Sequence, residues 1–401
     1  MKEIIILGGG FAGVSAGLHL LKKLSKGEGN ITLIDKNSYH LFTPSLYEVA
    51  TSEEPKKNIA IPYSEIFGQK IKHVLGKVVN IDTQNHLIHL FDKTNYFYDY
   101  LIIALGSECE FFGIEGLEKY SLPLKTLEDA VKIREEIENL YNKKVHEGKK
   151  INIVVGGGGF SGTEFTAELI RYREKISKHY NKPIESVRIT VIQGSPVLLK
   201  ELDEKVSQIA QKRLEEGNVK ICLSSRVKKV DEKNIETDDG KKYPYDIFVW
   251  TGGVRASGVL AQSGFKTNGK GHLGVNDNMQ VQGFNNIFAV GDVAEFADPV
   301  SNKPAPGVAE VAEGEGKMAA ENVYRSLKDM EQLSYKYLHV GYIVPIKGRF
   351  AVCDFKKFRL VGFFGWVLQQ LVFLYYLLRI LPFTKALKRW NKFEMYLMEN
   401  S

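Results

Sequence analysis

At 401 residues the chain exceeds one ordinary domain, and its 44% apolar and 25% charged residues are the proportions of a folded globular protein. A net charge of +6, with Lys and Arg crowding the C-terminal fifth, argues against a nucleic-acid partner and suits an anionic membrane surface. Cys109, Cys222 and Cys353 form no CxxC pair, which excludes a disulfide framework, a zinc site and a CxxC redox centre; no leader segment follows Met1, so the expectation is cytoplasmic.

In chain order, the first predicted element is a short apolar strand at residues 4–7. Gly8-x-Gly10-x-x-Gly13 follows and opens a helix, and a second strand, "NITLIDK", ends in Asp35. The chemistry of this unit is specific. Gly8 makes a tight turn, Gly10 lets backbone approach a pyrophosphate, and Gly13 lets helix and strand pack closely. The helix N-terminus faces the phosphates, and Asp35 accepts from a ribose hydroxyl. "YDYLIIALGS" reads as a buried strand ending in a turn at Gly106, and "TLEDAVKIREEIENLYNKKVHEG" as a helix. The dinucleotide unit then repeats in "KKINIVVGGGGFSGTEFTAELI", with Gly157, Gly159 and Gly162. Its second strand, "VRITVIQGSP", carries Gln193 where the acid would stand. "NNIFAVGDVAEF" is another buried strand, ending in Gly291-Asp292, and the alternating "YKYLHVGYIV" opens a small C-terminal domain.

The predicted fold class is therefore α/β, with two Rossmann-like dinucleotide-binding domains and a C-terminal amphipathic-helix domain. Residues 1–110 and 276–330 form the FAD domain and 111–150 a helical connector. Residues 151–275 form the NAD(P)H domain, and 331–401 a membrane-anchoring and dimerisation domain. Two such units mean two dinucleotides; the economical pair is a bound flavin and a visiting nicotinamide, because flavin N5 accepts hydride.

The tail closes the chain. Residues 360–381 are long enough to span a bilayer, which takes about 20 apolar residues, but Gln369, Gln370 and Arg379 interrupt the run and Pro382 ends it. Residues 362, 365, 369, 372, 376 and 379 read Gly, Gly, Gln, Val, Tyr, Arg. The opposite face at 364, 367, 371, 374, 378 and 381 reads Phe, Val, Leu, Leu, Leu, Leu. Next, Phe383, Leu387, Trp390, Phe393 and Leu397 form an apolar stripe, with Lys385, Lys388, Arg389 and Lys392 pointing elsewhere. The reading is a monotopic anchor at the lipid interface, ahead of a buried dimerisation helix and a spanning helix. A flavin served by a water-soluble cofactor and held at a bilayer makes a membrane quinone the expected acceptor.

Together these stretches resemble the two-dinucleotide-domain flavoproteins of the pyridine nucleotide-disulfide oxidoreductase type. More narrowly they resemble the type II NADH dehydrogenases, the single-subunit NADH:quinone oxidoreductases. The resemblance is carried by "ITLIDKNSYHLFTPSLYEVAT", "GGGGFSGTEFTAEL", "FVWTGGVRAS", "AEVAEGEGKMAAENV" and "GRFAVCDFKKFRLVGFFGW", of which the first is the most family-specific; the paired glycine motifs alone would also suit many disulfide reductases. The resemblance implies FAD at Gly8, Gly10, Phe11, Ala12, Gly13, Asp35, Lys36, His40, Leu41, Pro44, Ala104, Leu105, Gly106, Gly291, Asp292 and Ala309, with "HLFTP" near the isoalloxazine. It implies NADH, with NADPH admitted, at Gly157, Gly159, Phe160, Ser161, Gly162, Gln193, Thr251, Gly252 and Gly253. Glu164 matches the family glutamate near flavin and quinone, and the quinone edge falls at Glu310, Ala312 and Gly314. The implied enzyme is a homodimer on the cytoplasmic face of the cell membrane that passes two electrons to quinone without pumping protons. Disulfide reductases carry CxxxxC near residues 40–50; "HLFTPSLYEVAT" has none, so this flavin does not serve a protein disulfide.

Three departures stand out. Gln193 accepts from a 2′-OH without repelling a 2′-phosphate. Relaxed selectivity is one expectation, and plain acceptance of the NADH ribose the other. The family's AQxAxQxG reads Ala309-Glu310-Val311-Ala312-Glu313-Gly314-Glu315-Gly316, so both glutamines are gone. Glu310 then either relays protons to quinone or offsets a helix dipole. Cys353 takes a small residue's place and reads as a buried hydrophobe, since one cysteine cannot run the trisulfide cycle of a sulfide:quinone oxidoreductase-like enzyme. The alternatives to a quinone reductase are a soluble NAD(P)H-dependent reductase serving a small redox protein, that sulfide:quinone type, and a binding module without turnover.

Overall fold

The structure is a computed structural model. It describes residues 1–51, 56–145, 149–297, 304–337, 340–355 and 358–399, with side chains omitted for 56, 57, 145 and 393–399. The first half opens with β1 (Lys2–Leu7), α1 (Phe11–Lys23) and β2 (Gly29–Asp35), followed by β3 (Lys72–Leu75) and β4 (Tyr100–Ile103). Helix α2 (Leu127–Leu140) leads into the second half, β5 (Ile151–Gly156), α3 (Phe160–His179), β6 (Val187–Ile192), β7 (Val219–Cys222) and β8 (Ile247–Trp250). The chain then returns through β9 (Ile287–Ala289) and α4 (Ala309–Leu327). It ends in β10 (Gly341–Pro345), β11 (Ala351–Phe355), β12 (Arg359–Gly362), α5 (Phe363–Ile380) and α6 (Phe383–Glu399).

Two parallel five-stranded sheets result, ordered β9-β4-β1-β2-β3 and (Leu122–Pro123)-β8-β5-β6-β7. The central strands are largely apolar because helices cover both faces; Ile4, Ile5, Ile6 and Leu7 are all essentially inaccessible, whereas the edge strand β3 reads Lys-His-Val-Leu and is partly exposed. In each sheet the chain steps outward from the first strand and then crosses back to its other side. That reversal opens a crevice at the carboxyl ends, between β1 and β4 and between β5 and β8, where ligands bind in such folds. The α/β class expected from the sequence is what the chain adopts. The segment read as a connector also contributes the edge strand Leu122–Pro123 to the second sheet. Helix α2 is shorter than its sequence pattern, starts at a Thr126–Asp129 capping box and passes into a π turn at Tyr141–Val145; residues 146–148 lie outside the described residues.

The tail differs from its sequence reading in two ways. Residues 359–362 pair as β12, so the helix begins only at Phe363, after Gly362 at φ +88°. The alternating strand begins at Gly341, later than the pattern's start, and residues 338–339 lie outside the described residues.

Candidate functional site

Each crevice holds a glycine turn built to one plan. Gly8 sits at φ +93°, and a Cβ there would meet the Ala104 carbonyl oxygen at 2.3 Å; Gly157 sits at φ +101°, where a Cβ would lie 2.8 Å from Gly252. A Cβ on Gly13 would lie 1.9 Å from the Gly8 carbonyl oxygen, and one on Gly162 would lie 1.9 Å from that of Gly157. Gly10 and Gly159, by contrast, face open space, and no side chain caps the helices that follow. The free amides of the first turn, at Phe11, Ala12 and Gly13 in one half and Phe160, Ser161 and Gly162 in the other, can therefore take a pyrophosphate. Thr251 Oγ1 steadies the second turn, donating to the carbonyls of Gly156 (2.9 Å) and Gly157 (3.1 Å). Behind it, Gly252 and Gly253 make room for the rings of Trp250 and Phe112.

The residues after the second strands also correspond. Asp35 Oδ2 accepts from Gly9 N–H (2.6 Å) and from the Tyr63 hydroxyl (3.1 Å), while its Oδ1 accepts from Asn37 N–H (2.7 Å). Gln193 Oε1 likewise accepts from Gly158 N–H (2.9 Å), and its amide donates to Ser195 Oγ (2.6 Å). Each retains one acceptor position, enough for a single ribose hydroxyl. Lys36 is exposed beside this site.

At the other end of the first crevice, Gly106 (φ +68°) and Gly291 (φ +68°) turn the chain beside Ala104, Leu105 and Asp292. Ser107 Oγ donates to Asp292 and accepts from Lys125 Nζ at 2.7 Å, and Lys125 lies 3.6 Å from the Asp292 carboxylate. Gly291 N–H donates to Glu315 Oε2 (2.6 Å); burial pushes that carboxyl up to about 8. These glycine cradles, open helix ends and paired acids fit FAD in the first crevice. When bound, FAD supplies a two-electron centre that accepts hydride.

The "HLFTP" segment meets the anchor helix. His40 is fully buried, and burial lowers its pKa to about 4, so it is neutral. The Gly9 carbonyl can only accept, so Nδ1–H donates to it (2.9 Å), and Nε2 accepts from the Tyr376 hydroxyl of α5 (2.7 Å). Phe11 and Phe42 pack on the same tyrosine with ring centres 5.1 and 5.4 Å away, whereas Leu41 is half-buried and Pro44 exposed. Helix α5 is thus wired to the first glycine turn.

Glu164 lies just beyond the first turn of α3, where the helix dipole has faded. It is half-buried in a sheltered recess, has no hydrogen-bond or ion-pair partner among the described residues, and desolvation raises its pKa well above the ordinary range. Burial first, and then the nearby carboxylates of Glu48 and Glu168, raise the pKa of the Tyr47 hydroxyl.

Along α4, Ala309 and Ala312 are half-buried, and Glu310 is exposed in the first turn, where an acid suits the dipole. Gly314 leaves room for Tyr335, whose hydroxyl would lie 2.5 Å from a Cβ there. The acid on the inner face is Glu313, paired with Arg379 of α5. Sequence reading passed over Glu313, Glu315, Tyr63 and Tyr376. The signal for Tyr376 and Arg379 was present, because both lie on the less oily face of α5.

Only part of that face turns inward: Val372 and Arg379 are exposed, and Gln370, Phe373, Leu377 and Ile380 complete the buried side. Gly365 and Tyr376 are buried, while Phe364, Leu371 and Tyr375 are 72%, 50% and 63% exposed. In α6 the outcome departs from expectation. Trp390 turns inward and donates to the Gln370 carbonyl (3.2 Å), and Arg389 pairs with Glu65 (2.9 Å), because α6 packs back on α5 and the first domain. Lys385, Lys388, Lys392 and Phe383 are exposed; the Phe393 and Leu397 side chains lie outside the described residues. Cys353 is fully buried and its thiol pushed up to about 11, as a small hydrophobe would be placed.

Fold and crevices together define an oxidoreductase with two dinucleotide sites. A family profile for pyridine nucleotide-disulphide oxidoreductases matches residues 2–316, and the chain belongs to that family. Among curated relatives, the type II NADH:quinone oxidoreductases of Staphylococcus haemolyticus (strain JCSC1435) and Staphylococcus aureus (strain NCTC 8325) are each 28% identical. The alignments cover 86% of this chain and 87% of theirs. Among solved structures, a Plasmodium falciparum NDH2 in complex with NADH is 20% identical with a TM-score of 0.84, covering 98% of both chains. The sulfide:quinone oxidoreductase of Aquifex aeolicus is 20% identical with a TM-score of 0.78, covering 95% of this chain and 91% of its own. The resemblance read in the sequence is borne out by these relatives.

Proposed function

We propose that the chain is a membrane-associated NADH:quinone oxidoreductase that holds FAD in the first crevice and receives NADH, or NADPH, at the second. The observation that carries the reading is the pairing of two glycine cradles with the hydrogen-bonded contact from His40 to Tyr376, which joins the FAD crevice to an outward-facing apolar helix. The protein's own work is positioning. The turn amides and Asp35 hold one dinucleotide, Gln193 and Thr251 shape the place of the other, and Glu164 keeps a proton in a sheltered recess where quinone reduction needs one. The type II relatives support quinone as acceptor. Helix α5 is long and apolar enough to cross a membrane, with a mean hydropathy of 1.4. One side, with Phe364, Leu371, Val372, Tyr375 and Leu378, is exposed and apolar while the other is buried against the protein, which supports a helix lying in the interface over one that spans it. The homodimer, the cytoplasmic face and the absence of proton pumping rest on the family resemblance.

Steady-state turnover of the purified, FAD-loaded protein tests the reading. NADH oxidation is expected with a short-chain quinone as acceptor and not with a ferredoxin-type protein, and sulfide is not expected to replace NADH as the donor that reduces quinone. Turnover confined to a protein acceptor would overturn it.

A further inference from the structure

Helix α5 borders a groove whose inner end is Phe11 and Tyr376 of the described site and whose far end the mechanism does not use. A cavity of about 610 Å³ separates its C-terminal half from the side-by-side helices α1 and α4. The floor is apolar, formed by Val14, Leu18 and Ile380, and the outer lip is Tyr375 and Leu378, both on the outward stripe of α5. The far wall is basic at Lys22 on α1 and Lys317 on α4, with His19, bonded to Glu321, beside them. Nearby acids are already engaged. Glu321 takes His19 (2.7 Å), Lys23 (2.9 Å) and Arg325 (3.1 Å), and Glu313 takes Arg379. Lys22 and Lys317 are exposed and have no acid partner among the described residues.

A trough that opens on the bilayer-facing stripe and ends in two uncompensated ammonium groups complements an anionic phospholipid in both shape and charge. We propose that this groove seats one anionic phospholipid, with its phosphate between Lys22 and Lys317 and an acyl chain over Leu18 toward Leu378. The inference rests on the reading that α5 faces the membrane. A lipid held there bridges α1, which carries the first glycine turn, to the anchor helix and fixes how the FAD crevice sits on the surface.

The test uses the full, FAD-loaded chain. Native mass spectrometry from mild detergent would measure retention of phosphatidylglycerol against phosphatidylcholine, and cosedimentation would use vesicles of phosphatidylcholine with and without phosphatidylglycerol. Wild type is expected to retain one phosphatidylglycerol per chain in preference to phosphatidylcholine. The surface charge reversal Lys22→Glu with Lys317→Glu is expected to weaken that retention at least about tenfold, since each basic residue near an anionic lipid contributes about 1 kcal/mol. Leu18→Trp, which fills the floor and leaves every charge in place, is expected to do the same, which a diffuse surface attraction would not produce. Both variants should still sediment with phosphatidylcholine vesicles through α5. Equal retention of the two lipids, undiminished retention in both variants, or full competition by inorganic phosphate would overturn the groove. The reading of α5 fails separately, if Phe364→Asp with Leu371→Asp leaves vesicle binding intact.

Discussion

The turns at Gly8 and Gly157 are alike in backbone, down to the same 1.9 Å clash that a Cβ on Gly13 or Gly162 would suffer, but they differ in what surrounds them. Around the first, later parts of the chain close in. Gly316 of α4 approaches the Ala12 carbonyl so closely that a Cβ would lie 2.1 Å from it, Glu315 holds Gly291, and Tyr376 reaches His40. Around the second, the Phe160 ring packs at a tilt against Tyr342 with ring centres 5.4 Å apart, and Ser161 is exposed. An enclosed cradle suits a resident cofactor and an open one a ligand that comes and goes. The difference lies in the enclosure, and on it rests the proposed assignment of flavin to the first crevice and of a visiting nicotinamide to the second.

Breaking each turn separately gives the largest effects. Gly13→Val is expected to leave the chain with less than about a tenth of its flavin, whereas Gly162→Val should keep the flavin and lose its reduction by NADH, because each blocks one helix–strand contact. Flavin absorbance per chain and the rate of bleaching separate the two. Removing part of the enclosure comes next. Tyr376→Phe deprives buried His40 Nε2 of its donor and is expected to lower stability by ~1–3 kcal/mol, read as a fall in Tm together with faster flavin loss.

The third comparison is between Asp35 and Gln193. Gln193→Glu restores the acid and is expected to raise the NADH-over-NADPH ratio of kcat/KM at least about tenfold, or ~1.4 kcal/mol. An unchanged ratio would show that Gln193 already excludes the 2′-phosphate. The smallest effect concerns pH. Buried Glu315 titrates at about 8 against an ordinary 4.5, so the folded chain keeps a proton that the unfolded chain releases between those values. Stability from this group therefore falls as pH rises through that window. Glu315→Gln retains an acceptor for Gly291 N–H and removes the titration, so its Tm relative to wild type should climb between about pH 5 and pH 8.

The glycine turns were legible because positive φ and sub-van-der-Waals approach admit no other residue, and that constraint is local. Asp35 and Gln193 were legible from their place at a strand end. The exposed Phe364, Leu371 and Leu378 of α5 were legible from their period; its buried side was not, because Phe373, Leu377 and Ile380 lie off the less oily stripe. The pairs Glu313–Arg379 and His40–Tyr376 were not, since their partners are far apart in the chain and only the packing of α5 brings them together. Trp390 was misplaced for a related reason: an amphipathic pattern does not say whether lipid or protein covers the apolar stripe.

The most direct test of the central claim is a pair of anaerobic half-reactions on the FAD-loaded protein bound to lipid vesicles. NADH should bleach the flavin, and a short-chain quinone should then reoxidise it, faster on vesicles than in detergent. Flavin that bleaches but stays reduced in the presence of both a ubiquinone and a menaquinone analogue would contradict the account.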